Sequence, residues 1–257
     1  MPGQPHVMSC IGIPGIPIIQ QGDNLADIIS QAIREAGETL RNHDVVVVAQ
    51  KIVSKAEGRL VHLQNVHPSP RAVALAHQAA KDPRLVELIL RESNEILRVR
   101  PGLIIVEHRL GFVCANAGID HSNVLGDEDH VLLLPEDPDH SAQALRRAWM
   151  KDFGLNHLAV IINDSHGRAW RLGTVGVAIG LAGMHPLTDR RGDPDLMGRT
   201  LQATVIGTAD EIAAAASAVM GQADEAIPVV IVRGARYEPG EGRLRDLLRP
   251  KALDLFR

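Results

Sequence analysis

Aromatic residues are scarce in this chain: two Trp, one Tyr and three Phe make up 2% of its 257 residues. Single-stranded nucleic acids are held on aromatic stacking platforms, so that class of ligand is disfavoured. The formal net charge of −4 also gives no overall attraction to nucleic acid or to acidic membranes. An anionic substrate must therefore be met locally, by Lys or Arg side chains, a metal ion or backbone amides.

Cysteine is scarce as well, and long apolar runs are absent. The two cysteines, Cys10 and Cys114, have neither metal-site nor disulfide spacing. We expect both to be buried thiols in a reducing compartment. No apolar run reaches the roughly 20 residues of a membrane-spanning helix, and the first residues do not resemble a signal peptide. These features predict a cytoplasmic protein.

Several familiar motifs are absent from the sequence. It contains no Walker A loop, no G-x-G-x-x-G, no H-E-x-x-H and no nucleophile elbow. If the chain binds a nucleotide, a different arrangement of residues must hold the phosphates.

Strand and helix patterns alternate along the chain without a regular βαβ rhythm. Residues 25–36 have apolar side chains at helical spacing, whereas residues 44–49 and 158–162 are typical of buried strands. A further helical pattern begins near Pro83 and extends through Ile96, and Asp210 is expected to cap an alanine-rich helix. This order predicts an α+β fold with mixed sheets and helices.

Two polar segments that follow apolar runs are the most informative part of the sequence. Residues 116–123 (NAGIDHSN) and 162–168 (INDSHGR) set a carboxylate and short polar side chains among glycines. Such loops suit divalent cations and phosphate oxygens, which prefer oxygen ligands and exposed N–H groups. The adjacent Asp164 and Ser165 could serve two neighbouring metal ions. In both segments, an Asx or ST turn is the alternative interpretation.

Cationic residues occur near these segments. Residues 50–59 (QKIVSKAEGR) follow a predicted strand, where polar side chains can meet phosphates, and a solvated basic turn is the alternative interpretation. Arg168 and Arg171 could neutralise a phosphate or carboxylate, or simply lie on the surface. His121 and His166 flank the acidic segments and could touch a substrate, but we assign catalysis to neither.

Five segments together resemble one family, the coenzyme F420-0:L-glutamate ligases. They are residues 53–59 (VSKAEGR), 116–124 (NAGIDHSNV), 163–168 (NDSHGR), 209–215 (ADEIAAA) and 228–234 (PVVIVRG). Each segment alone is weak, but five in the same order are specific. The likeness extends over nearly the whole chain, which we expect to be a single ligase unit over residues 1–257, without the C-terminal nitroreductase-like domain of some members.

The resemblance implies a GTP-dependent ligase of coenzyme F420 biosynthesis. GTP would phosphorylate the acceptor carboxylate of F420-0, and the amine of L-glutamate would then displace phosphate from the acyl phosphate; further γ-linked glutamates could follow. The family also implies two Mg²⁺ or Mn²⁺ ions, a K⁺ ion, two structural lobes and an intertwined homodimer.

The resemblance further assigns site residues. The catalytic residues would be Asp120, Asp164 and Lys55, and the metal ligands Asp120, Asp164, Ser165 and Gln222. The GTP contacts would be Gly15, Ile16, Pro17, Ile18, Gln50, Lys51, Lys55, Asn123, Met220, Gly221, Gln222, Ala223, Asp224, Glu225, Ala226 and Ile227. Two other functions remain open for the same residues, a two-metal phosphohydrolase and a non-catalytic nucleotide-binding protein.

Overall fold

The structure is a computed structural model and describes residues 5–122, 124 and 129–256. The strands are β1 (Ser9–Gly12), β2 (Val45–Ala49), β3 (Leu60–His62), β4 (Ser93–Arg100), β5 (Leu103–His108), β6 (Val113–Ala115), β7 (His130–Leu132), β8 (Ala159–Arg168), β9 (Arg171–Ala182), β10 (Thr188–Asp189), β11 (Val205–Ile206) and β12 (Val229–Arg233). The α-helices are α1 (Leu25–Glu35), α2 (Gln50–Ala56), α3 (Pro70–Ala79), α4 (Pro83–Arg91), α5 (Pro138–Asp152) and α6 (Thr208–Met220).

The central sheet has five strands in the order β1-β12-β2-β8-β9. It positions the polar residues that follow β2 and those that lie in β8. β2 and β8 are parallel, with Ala49 opposite Asn163, while the other neighbouring strands are antiparallel. β2 lies in the middle of the sheet, and its four consecutive valines are fully buried. An apolar, β-branched run of this kind suits a strand that is covered on both faces. Since parallel strands end at the same edge, Gln50 and Asp164 come together there.

Both faces of this sheet are buried. Alternate residues of β2 face opposite sides: Val46 and Val48 belong to the larger hydrophobic cluster, and Val45 and Val47 to a smaller one that also includes Ala213 of α6. The larger cluster continues into α1, α3, α4, α5 and the three-stranded sheet β4-β5-β6. The predicted α+β class with mixed sheets is therefore confirmed.

The predicted continuation of α4 through Ile96 is wrong. α4 ends at Arg91, and Ile96 lies in β4, opposite Val106 of β5. Both arrangements satisfy the backbone groups of this segment, but pairing with β5 also joins it to the three-stranded sheet. Tertiary pairing has thus overridden a local helical pattern.

Asp164 and Ser165 do not lie in a loop, contrary to the prediction. β8 continues to Arg168 and forms a long antiparallel hairpin with β9. Side chains alternate along a strand, so Asp164 and Ser165 point to opposite faces. The sequence around Gly167 is polar and does not alternate between apolar and polar residues. A strand could therefore not be predicted in this outer part of the hairpin.

Asp210 does not cap α6, which begins at Thr208 after Gly207. The Asp210 carboxylate instead accepts a hydrogen bond from the backbone N–H of Ala178, at 3.0 Å. The side chain therefore joins α6 to β9 and is not available to its own helix terminus.

Small residues allow β9 to pack closely against two helices. A Cβ atom added at Gly176 would lie 2.5 Å from the Cβ of Ser217 in α6, and one added at Gly180 would lie 2.4 Å from the carbonyl carbon of Pro138 in α5. Both distances are too short for a real contact, so glycine is required at these two positions.

Two further expectations concerned the burial of the cysteines and the absence of a helix long and apolar enough to cross a membrane. Cys114 is buried as expected, whereas Cys10 is only partly so. Burial raises the pKa of the Cys114 thiol to about 12, assisted by the nearby charge of Asp164. Among helices in the described ranges, none combines the length and apolarity needed to cross a membrane.

Candidate active site

A cleft of about 700 Å³ opens at the edge of the central sheet where β2 ends and β8 passes. Its lining comes from five parts of the chain: residues 16–19, α2 with the residue before it, residues 120–122 with Val124, the middle of β8, and residues 220–228. The described residues of this lining are Ile16, Pro17, Ile18, Ile19, Ala49, Gln50, Lys51, Ile52, Lys55, Asp120, His121, Ser122, Val124, Asn163, Asp164, Ser165, Met220, Gly221, Gln222, Ala223, Asp224, Glu225, Ala226, Ile227 and Pro228.

The cleft contains all but two of the residues assigned to the site from the sequence. Gly15 is not in the lining, although its neighbours Ile16, Pro17 and Ile18 are. Asn123 lies outside the described residues. The binding and catalytic roles given to the other residues stay predictions.

Arg168 and Arg171 lie away from the cleft lining, at the outer end of the β8–β9 hairpin. The guanidinium of Arg168 donates to the backbone carbonyl of Gly173, at 3.1 Å. These two arginines thus support the surface interpretation of the sequence pattern.

Asp120 is held by side chains of α2. Its backbone N–H and C=O exchange hydrogen bonds with Leu132, both at 2.9 Å, which fixes the segment beside β7. Gln50 donates from Nε2 to Asp120 Oδ2 at 2.7 Å, and Ser54 donates from Oγ to Gln50 Oε1 at 3.0 Å. Lys51 Nζ lies 3.5 Å from Asp120 Oδ1. The spacing of four residues places Gln50 and Ser54 on one face of the helix.

Burial raises the pKa of Asp120 to about 6, because a carboxylate that is largely removed from water loses solvation. The ammonium group of Lys51 opposes this rise, while the negative charge of Asp164 adds to it. The two carboxylates thus repel each other across the cleft, and a cation between them would relieve the repulsion.

Asp164 is held differently, by a residue of its own strand. His166 Nε2 lies 2.9 Å from Asp164 Oδ2, and both side chains are largely buried. The His166 ring packs on Phe112, with ring centroids 5.1 Å apart. Residues two apart on a strand share a face, which explains how the imidazole reaches the carboxylate.

Two lysines of α2 contribute positive charge to the cleft. Lys51 and Lys55 are four residues apart and both line it. Lys51 Nζ also donates to Ser122, at 2.9 Å to Oγ and 3.2 Å to the backbone carbonyl. Burial lowers the pKa of Lys55, and repulsion from Lys51 lowers it further. An anion placed between the two ammonium groups would relieve this repulsion.

The 220–228 segment closes one side of the cleft with a tight turn. Gly221 has a φ of 68°, and a Cβ atom there would overlap the carboxylate of Glu225. Glu225 accepts a hydrogen bond from the backbone N–H of Ala223, at 2.8 Å. The carboxamide oxygen of Gln222 accepts from the Thr174 hydroxyl, at 2.7 Å, which joins this segment to β9.

The donor set fits a divalent cation that completes its coordination from a ligand. Within the described ranges, no group of three or more His, Cys, Asp or Glu side chains converges on one metal position. Asp120 and Asp164 nevertheless supply two carboxylates, and Ser165 and Gln222 line the same cleft. Mg²⁺ is commonly bound in this way, by one or two carboxylates with waters and substrate phosphates.

Sequence reasoning missed two supporting residues of this site. His166 was noticed but not recognised as the partner of Asp164, although an i, i+2 spacing on a strand would have indicated it. Ser54 lay inside a resembling segment without an assigned role, although it is four residues from Gln50 on a helix.

The cleft therefore joins paired carboxylates to paired ammonium groups, an arrangement that can hold a metal-bound polyanion. A sequence model described as F420-0:gamma-glutamyl ligase matches residues 15–234. The chain belongs to this family, and the resemblance found in its five segments is confirmed.

Three relatives match over nearly their full length, and each is called coenzyme F420:L-glutamate ligase. The protein of Methanothermobacter thermautotrophicus is 50% identical over 252 residues, covering 97% of this chain and 99% of the relative. That of Methanopyrus kandleri is 47% identical, covering 93% of each chain. That of Methanocaldococcus jannaschii is 44% identical, covering 94% of each.

Proposed function

We propose that this chain is an amide-forming ligase that adds L-glutamate to coenzyme F420-0, with GTP as the co-substrate. Family membership over residues 15–234 is the observation that carries the proposal. The cleft supports it, because segments that are far apart in the sequence meet there with the charges that phosphoryl transfer requires.

The reaction would proceed in two steps. An oxygen of the F420-0 carboxylate attacks the γ-phosphorus of GTP, the bond to the β-phosphate oxygen breaks, and GDP leaves. The amine of glutamate then attacks the carbonyl carbon of the acyl phosphate and loses a proton, and inorganic phosphate leaves with the bonding electrons. Neither step needs a covalent bond to the protein, so positioning and charge neutralisation carry the catalysis.

The cleft residues have separate parts in this proposal. Lys51 and Lys55 neutralise phosphate oxygens as they move from GTP to the acceptor. Asp120 and Asp164, with Ser165 and Gln222, hold two Mg²⁺ or Mn²⁺ ions, which supply further charge neutralisation when bound.

The nucleotide would lie between two opposing parts of the cleft. The cleft is lined by residues 16–18, near the start of the sequence, and by residues 220–227, near its end. The neighbouring strands β1 and β12 are paired, which brings the segments after β1 and before β12 together. We further propose that a K⁺ ion assists phosphate binding, as the family resemblance implies.

We also propose the two lobes and the homodimer implied by the family. Large apolar side chains are exposed on the β8–β9 hairpin and on the 190–200 segment: Trp170 (88%), Leu172 (99%), Leu196 and Met197. Large exposed apolar side chains are used in many protein–protein interfaces. Light scattering should give the mass of a dimer, and Leu172→Glu should shift it toward a monomer. A monomeric wild-type protein would contradict this part of the proposal.

Mass spectrometry of the product tests the ligase function directly. Purified protein is incubated with F420-0, L-glutamate, GTP and Mg²⁺ or Mn²⁺, and each reactant is omitted in turn. We expect mass increments of one glutamyl unit that require GTP and metal, and their number counts the additions. Asp152→Asn, a surface change on α5, serves as the control variant and should retain activity.

Phosphate release and GTP binding, measured on the same samples, separate the alternatives. Phosphate release that does not depend on glutamate would indicate a phosphohydrolase. GTP binding without any turnover would indicate a non-catalytic nucleotide-binding protein. Either result would contradict the ligase proposal.

A further inference from the structure

The imidazole of His166 contacts the carboxylate of Asp164 but does not line the cleft. Its Nε2 lies 2.9 Å from Asp164 Oδ2, and the two side chains are only 13% and 12% exposed. Asp164 lines the cleft, whereas His166 does not appear among the described lining residues. His166 can therefore influence the cleft through Asp164, without touching a ligand itself.

The imidazole ring is itself held by an aromatic contact outside the cleft lining. It packs on Phe112, which is buried and stacks on His108, with centroids 5.2 Å apart and rings within 5° of parallel. The backbone C=O of Phe112 accepts from the N–H of His108, at 2.8 Å, so the stack belongs to the rigid turn between β5 and β6. The three-stranded sheet thus sets the position of the imidazole ring.

Asp210 lies near the same imidazole. Burial raises the pKa of Asp210, and the charge of His166 partly offsets that rise, which places the two groups within electrostatic range. The Asp210 carboxylate is anchored by Ala178 of β9. Asp164 on β8 and Phe112 of the β5–β6 turn therefore contact the imidazole directly, and Asp210 on α6 lies within electrostatic range of it.

We propose that His166 is a positioning residue: its Nε2–H donates to Asp164 Oδ2 and so fixes the rotamer of Asp164, leaving Oδ1 to ligate the cation. This inference rests on the proposed metal-binding role of Asp164. Hydrogen bonds to the groups that ligate a metal commonly orient those ligands, and their loss weakens metal affinity or activity by about 10- to 100-fold. Both the neutral Nε2–H tautomer and the imidazolium can donate this bond.

Two substitutions separate the hydrogen bond from the packing of the ring. His166→Phe keeps an aromatic ring against Phe112 and loses the donor. His166→Gln keeps an N–H donor and loses the ring. His77→Phe, an exposed histidine on α3, is the matched control.

The first measurement is Mn²⁺ binding by electron paramagnetic resonance, on the full chain without substrates. We expect about 10- to 100-fold weaker binding in His166→Phe, and values close to wild type in His166→Gln and His77→Phe. The thermal unfolding midpoint of each variant is recorded alongside. Wild-type binding in His166→Phe, equal loss in both His166 variants, or no Mn²⁺ binding by the wild-type protein would overturn the inference.

Glutamyl transfer is measured in parallel, so that the inference and the proposed function can fail separately. If the variants show the expected order of Mn²⁺ affinities but the wild-type protein makes no glutamylated product, the positioning role stands and the ligase function is wrong. If product forms normally while Mn²⁺ affinity is unchanged in His166→Phe, the ligase function stands and the positioning role is wrong. Restored kcat in His166→Gln would attribute the effect to the donor.

Discussion

Two carboxylates in this molecule, one partly buried and one buried, have pKa values that are shifted in opposite directions. The side chains of Asp120 and Glu92 are 25% and 11% exposed, respectively. Burial alone would raise both pKa values. The pKa of Asp120 is raised to about 6, whereas that of Glu92 is lowered to about 2. The difference must come from their partners.

Glu92 has three basic neighbours that outweigh its burial. Arg59 Nη2 lies 3.0 Å from Oε1, and Arg109 Nε lies 2.8 Å from Oε2. His108 Nε2 lies 3.6 Å from Oε2, while its Nδ1 accepts from the backbone N–H of Leu110 at 3.0 Å. The arginines also bind backbone carbonyls of residues 134–136, so the cluster ties the end of α4 to the loop before α5.

Asp120 has fewer compensating groups. One amide N–H from Gln50 and one ammonium group, that of Lys51, face it, and the charge of Asp164 repels it. A carboxylate with paired arginines stabilises the fold, whereas an under-compensated pair of carboxylates in a cleft is suited to bind a cation. The charge partners, and not the degree of burial, distinguish the ionic cluster at Glu92 from the candidate site at Asp120.

The largest effects should follow from neutralising the cleft carboxylates. We expect Asp120→Asn and Asp164→Asn each to reduce glutamyl transfer by about 10³-fold or more, equivalent to about 4 kcal/mol or more in the barrier. Because Asp120→Asn removes a poorly compensated, partly buried charge, the metal-free variant should unfold at the same temperature as wild type or higher. The product assay and thermal unfolding test both points, and wild-type activity in both variants would contradict the metal assignment.

Glu92→Ala should have the reverse profile. Removing one partner of a buried ionic cluster leaves uncompensated charge on the arginines, with a typical cost of about 3–5 kcal/mol. Denaturant unfolding should show this loss, while kcat of the folded fraction should stay near wild type, since Glu92 does not line the cleft. Arg34→Ala, which removes an exposed ion pair with Asp152, is the control and should cost less than about 1 kcal/mol.

The pH dependence of stability should separate the two clusters further. The folded-state pKa of Glu92, about 2, lies below its ordinary 4.5, so its contribution is present above pH 4.5 and is lost as the pH falls toward 2. This contribution is at most about 3 kcal/mol. We expect the difference in unfolding free energy between wild type and Glu92→Gln to shrink over that interval. A constant difference down to pH 2.5 would contradict the paired state of Glu92.

The fold was predicted where local patterns and tertiary contacts agree. Residues 45–49 form the central strand as expected, because an apolar β-branched run suits burial on both faces. α4 was predicted too long, because its apolar spacing continues into β4 and only the partner strand β5 decides where the helix ends. The extension of β8 through Asp164 was also missed, since its partner β9 is rich in glycine and gave no strand pattern.

The residues of the candidate site were named from resembling segments and their roles stay predictions, but the interactions between them were not predicted. The sequence indicated Asp120 and Asp164, and the structure places both in one cleft. Which donor supports which carboxylate depends on strand register and helix phase, and no pattern along the chain identified Gln50 as the partner of Asp120. The ionic cluster at Glu92 was invisible for the same reason, because its members lie on separate elements.

Ser54 offers the smallest and most selective test of the comparison. Its hydroxyl is fully buried and donates to Gln50, so Ser54→Ala leaves the Gln50 oxygen without this donor and frees the carboxamide that holds Asp120. We expect a loss of about 1 kcal/mol in stability, together with a several-fold lower kcat. Ser30→Ala, another buried serine on a helix outside the cleft, should destabilise the protein similarly without changing kcat. Equal kinetic effects of the two variants would mean that buried hydroxyls act on turnover only through general stability. A loss of kcat confined to Ser54→Ala would mean that Ser54 orients Gln50, which in turn holds Asp120 in the position needed for turnover.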